Sequence, residues 1–165
     1  MTTEGTYGQL NWTVSTGGDR YRRGLYTFSK RTAPYAMFTT FDAPSGEACV
    51  ARRELSNTPL QALTLLNDTV FLEAAQSLAR QIADSPLSVE QQMTQLFREI
   101  LTRPPSDDEL AQLVRFFAVQ RKRFANKELD AMPLAGPGNS DPATRAAWVA
   151  TARALLNLDE AITKD

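Results

Sequence analysis

The chain is predicted to be mainly α: a four-helix bundle or orthogonal helical array, with an irregular N-terminal arm that has room for one short strand. Three observations predict this. Thr58–Gln61, Ser88–Gln91 and Ser106–Glu109 each have the Ser/Thr-x-x-Glu/Gln form that exchanges two hydrogen bonds at a helix start. Apolar residues behind each box return every three or four positions. Breaks near Pro86, Pro104-Pro105 and Pro137 separate the stripes.

Residues 1–19 are polar and rich in Gly and Thr, with Trp12 as the one large anchor and Gly17-Gly18-Asp19 as a turn. No apolar strand precedes these glycines, so a phosphate-binding loop is not indicated. Leu25, Tyr26, Thr27 and Phe28 favour an extended strand within Arg22–Arg31, with a short helix as its rival. Pro34 breaks the chain, Tyr35–Phe41 reads as a short apolar turn or helix, and Pro44-Ser45-Gly46 turns again.

The first long helix is expected over Pro59–Ala83, with Pro at its first position and Leu60, Leu63, Phe71, Ala74, Leu78 and Ile82 on its apolar face. Asn67 and Asp68 fit a helix interior poorly, because their side chains compete for backbone bonds. A kink or a buried polar contact is expected there. The second helix follows Ser88, with Met93, Leu96, Phe97, Ile100 and Leu101 facing inward. The third follows Ser106, with acids in its first turn and a stripe of Leu110, Leu113, Val114, Phe117 and Phe124. Asp130–Ser140 is a Pro- and Gly-rich loop. Asp141-Pro142 opens the last helix, with Trp148, Ala152, Leu155 and Ile162 on its apolar face. Residues 1–57 are thus an arm packed on a bundle of residues 58–165, together one domain.

Composition excludes several chemistries. The chain has no histidine, so His-based triads, the commonest zinc ligand and the usual haem ligation are absent. Its single cysteine, Cys49, permits no internal disulfide and no CxxCH haem attachment. Flanked by Ala48 and Val50, it reads as a buried, poorly reactive thiol. No acid cluster has the loop spacing of a Ca²⁺ or Mg²⁺ site, so no metal and no cofactor is expected in this chain. A net charge of −1 gives no broad basic surface for nucleic acid. No apolar run spans a bilayer, and MTTEGTYGQLNW has neither the basic nor the apolar region of a signal peptide.

Asp42 and Glu47 are the candidate chemical residues. A carboxylate pair can do general acid/base work, as in glycoside hydrolysis. Arg22, Arg23, Arg31, Arg52 and Arg53 lie around them in sequence, with Tyr26 and Asn57, and favour instead a structural polar cluster of Arg–carboxylate forks. Tyr21, Tyr26, Phe28, Tyr35, Phe38 and Phe41 alternate with basic residues. This could form a stacking platform for nucleic acid or sugar rings, but the balanced charge favours core packing.

The blocks Tyr21–Thr32 (YRRGLYTFSKRT), Phe41–Cys49 (FDAPSGEAC), Arg53–Leu63 (RELSNTPLQAL) and Leu66-Asn67-Asp68 resemble the planctomycete-specific C-terminal domain of unknown function of large planctomycete cytochrome-like proteins. Ser29 stands where that family usually has Trp, Gly24 where it has Ser, and Ser56 where it often has Thr. The resemblance implies an extracytoplasmic, modular parent, periplasmic or at the cell surface, with an upstream c-type haem domain and other domains as partners. It carries no catalytic residues. The expected role is a non-catalytic structural or interaction module. The alternative is a carbohydrate-binding module or a carboxylate hydrolase using Asp42 and Glu47.

Overall fold

A computed structural model describes residues 15–28, 34–46, 48–52 and 54–163. Among them the fold is mainly helical and contains no strand. The chain divides into two compact units, residues 1–61 and residues 62–165.

In the first unit the expected strand is replaced, over its described part, by a 3-10 turn at Gly24–Tyr26. Another such turn spans Gly17–Tyr21. There the turn packs closely on an aromatic side chain: a Cβ on Gly24 would stand 2.9 Å from the Phe38 ring. Phe38 lies in α1 (Ala36–Thr40) and meets Tyr35 edge-on, with ring centroids 5.5 Å apart. The expected anchor Trp12 and residues 29–31, the rest of the expected strand, lie outside the described residues.

The expected helix over Pro59–Ala83 is two helices, α2 (Pro59–Asn67) and α3 (Thr69–Ala83). Asp68 divides them. Its carboxylate accepts from the Val70 N–H at 2.8 Å and caps α3, a bond a helix-interior residue could not make. Leu60, Leu63 and Ala74, expected to face inward, are exposed, and Leu65, Ala75 and Ala79 are buried instead, while Ile82 is buried as expected.

The second unit is built around α7 (Pro142–Leu156), which packs chiefly against α3 and α5 (Asp107–Ala125). Trp148, 1% exposed, lies against Phe117 with ring centroids 4.2 Å apart. Met93, Leu96, Phe97 and Leu101 of α4 (Val89–Leu101) complete the core. The Ser88 and Ser106 boxes form as the sequence predicts, each serine accepting from the third-residue amide while Gln91 or Glu109 reaches back. The Gln92 amide donates to the Ile82 and Ser85 carbonyls, both at 2.9 Å, and so closes the end of α3.

The Pro- and Gly-rich loop holds a short helix, α6 (Met132–Ala135). Buried Arg145 fastens this loop by donating to the Ser140 and Gly136 carbonyls. Gly138 lies so near the arginine stem that a Cβ there would stand 2.6 Å from its Cδ. The last expected helix ends at Leu156, and Asp159–Ile162 forms a separate turn, α8. Among the described residues, no helix is long and apolar enough to cross a membrane.

Candidate functional site, a polar hub at the start of α2

Asp42 follows α1 in the left-handed region, with φ 55°. The Ala43 N–H returns to the Phe38 carbonyl at 2.8 Å, so the chain reverses sharply and carries Asp42 toward the start of α2. There, Asp42 Oδ2 accepts from the Ser56 N–H at 2.8 Å, the Ser56 hydroxyl at 2.7 Å and the Gln61 side-chain amide at 3.3 Å. Hydrogen bonds to an ionised acceptor are the stronger kind, and three on one oxygen hold Ser56 and Gln61 in one geometry.

Gln61 is the centre of this hub. Only 1% exposed, it is the one buried residue among the described part of its unit. Its amide nitrogen also donates to the Thr40 carbonyl at 2.9 Å and to Ser56 Oγ at 3.2 Å. Its amide oxygen accepts from the Thr58 N–H at 3.0 Å, while its own N–H donates to Thr58 Oγ1 at 3.3 Å. The capping box expected from the sequence is therefore present and does a second job: the side chain that caps α2 also fixes the end of α1. Adjacent capping letters give no hint of that reach, which spans 21 residues to Thr40.

Some of the other candidate residues can be placed among the described ones. Arg22 pairs with Asp19 at 2.7 Å on the surface. Arg23 lies over the Tyr26 ring, 5.7 Å from its centroid, and reaches the Tyr26 hydroxyl at 3.5 Å. Arg52 and Asn57 are exposed. Glu47, Arg31 and Arg53 lie outside the described residues.

Two expectations are corrected. Cys49 is exposed rather than buried, since apolar Ala48 and Val50 beside it are themselves exposed on irregular chain. Core packing does not hold for Tyr21, Tyr26 and Phe28, which are 61%, 60% and 52% exposed. The short 3-10 turns that carry Tyr21 and Tyr26 bury no residues. Arg20 lies over the Tyr21 ring as Arg23 does over Tyr26, so the tyrosines present rings backed by guanidinium groups.

A second charged cluster, in residues 62–165, was not legible in sequence. Arg103 forks onto Glu109 and onto Glu160, which lies 57 residues away. The Arg103 guanidinium and the Ser106 amide hold the Glu109 carboxyl down at about 2. The same guanidinium lowers that of Glu160, while the two carboxylates raise that of Arg103. Among the described residues, no group of three or more His, Cys, Asp or Glu side chains could hold a metal ion.

Residues 3–117, well over half of the chain, match the family model described as PSD1, Protein of unknown function (DUF1553). No curated protein and no solved structure matches the chain.

Proposed function

Because the chain belongs to the DUF1553 family, whose description leaves its function unknown, we propose that it is a non-catalytic structural or interaction module of a larger, extracytoplasmic, cytochrome-like protein. The single observation that carries this reading is the use made of Asp42. One of its carboxylate oxygens takes three hydrogen bonds that fix the start of α2, so this candidate acid is employed in architecture. A general acid or base needs an oxygen within reach of a substrate proton.

The exposed Tyr21, Leu25, Tyr26 and Phe28 supply the interaction surface in this reading. Large apolar and aromatic side chains flanked by arginines are the residue types that dominate binding energy at protein interfaces. The partners are other domains of the parent protein. Carbohydrate is the second reading, favoured by the exposed Tyr21 and Tyr26 rings, against which the C–H face of a sugar can stack. The packing of α7 on α3 and α5 supports a helical bundle as the scaffold. The chain itself is taken to bind no haem and no metal, which leaves redox chemistry to its neighbours.

The test is titration of the full chain against the parent's remaining domains, followed by calorimetry. Binding that Tyr21→Ala and Tyr26→Ala each weaken by about tenfold or more supports the module. Absence of binding, together with a hydrolytic activity that Asp42→Asn abolishes, overturns it. Binding of soluble oligosaccharides that depends on the same tyrosines selects the second reading.

A further inference from the structure

We propose that α8 is a strap, closed against the α4–α5 turn by the Arg103 guanidinium and able to open while the core around Trp148 stays folded. α8 has four residues and buries none of them. Ala161 is partly buried against the core, a small apolar anchor.

Arg103 adds a charged hold. Its Nε and Nη2 donate to Glu160 Oε1 and Oε2 at 2.6 and 2.7 Å. Its Nη1 and Nη2 donate to Glu109 Oε2 and Oε1 at 2.9 and 2.7 Å. The guanidinium also lies over the ring of buried Phe97, 4.9 Å from the centroid.

The two halves of this clasp are unequal. Glu109 is fixed twice, because Oε2 also accepts from the Ser106 N–H in the cap of α5. Glu160 is held, among the described residues, by Arg103 alone. Loss of the Glu160 fork therefore loosens α8 and leaves Arg103 docked on Glu109 and Phe97. All three charged side chains are more than a third exposed, so salt and acid reach them directly. The charges acting on Glu160 are Arg103, which lowers its pKa, and Glu109, which raises it. The strap is thus closed above the ordinary carboxylate range and is lost as pH falls through the depressed Glu160 value.

Amide exchange by NMR on the full chain tests this. The reporters are the Ala161 and Thr163 amides, which donate to the Leu158 and Asp159 carbonyls. In Glu160→Gln their exchange should rise by about 3- to 10-fold, the effect of losing a forked, partly exposed ion pair, while amides of α3 and α7 hold their wild-type rates. Raising the salt concentration should act on the wild type in the same direction. Unchanged α8 exchange in Glu160→Gln overturns the strap. A parallel rise in α3 and α7 overturns it equally, since the cluster would then hold the whole unit.

Discussion

In residues 62–165 the largest fully buried side chains include Trp148, Phe97, Ile82, Met93 and Leu96. In the described part of residues 1–61 the one buried residue is an amide, Gln61. The first arrangement gains from apolar area removed from water, which is non-directional and accommodates small changes of geometry. The second gains from directed hydrogen bonds, each modest in net terms but costly when one partner is lost. The difference shows at the surface as well. Among the described residues of the first unit no apolar side chain is buried, and Tyr21, Leu25, Tyr26 and Phe28 are exposed.

The sharpest break of this contrast is Trp148→Ala. Removing the ring from its contact with Phe117 should destabilise residues 62–165 by about 3–5 kcal/mol, read by denaturant unfolding. A cost below about 1 kcal/mol would deny that this unit depends on its apolar core.

Gln61→Ala probes the other side. It deprives the Thr58 amide, the Thr40 carbonyl and Asp42 of a buried partner and should cost about 1–3 kcal/mol, with exchange at the α1 and α2 amides rising most. An equal effect from Gln61→Leu, which keeps apolar bulk, would confirm that hydrogen bonding rather than volume matters. Recovery in Gln61→Leu would instead make this unit an apolar one.

Single hydroxyls should have smaller and similar effects in either unit. Ser88→Ala should cost about 1 kcal/mol. Ser56→Ala should cost a comparable amount, about 1 kcal/mol, because its hydroxyl bond to Asp42 is lost. Ser56→Thr should be nearly neutral by thermal melting, since the threonine hydroxyl can donate in the same way.

Acid should produce the smallest effect. The Glu109 carboxyl, at about 2 against an ordinary 4.5, contributes stability that is fully present above pH 4.5. That contribution is lost as pH falls from 4.5 toward 2. The melting temperature should drop across this window, and Arg103→Gln should flatten the drop. The cluster is partly exposed, so the change should be slight and weaker still in high salt.

Much of the helical unit was legible in the sequence. Ser88 with Gln91, and Ser106 with Glu109, are neighbours on the chain, and their reciprocal bonds need only local geometry. The apolar faces of α4, α5 and α7 likewise follow from spacing along one helix. The candidate site was legible only in part. Asp42 stood out as an acid among arginines, and Gln61 as a cap. Ser56 carried no signal of its own.

The sequence by itself determined where α2, α4 and α5 start, because a capping box is closed by residues three apart and needs no other part of the chain. It also determined the exclusion of histidine chemistry, which is a matter of composition. Tertiary structure decided the rest. Asp68 could extend one helix or cap the next, and its carboxylate settled on the Val70 amide, turning one expected helix into two. Cys49 and the tyrosines have apolar character that favours burial, but burial requires a facing surface, and no local pattern reports whether one exists. The meetings of Gln61 with Thr40, and of Arg103 with Glu160, join residues 21 and 57 positions apart. Such contacts arise only after the chain has folded back on itself, so no spacing rule along the chain encodes them.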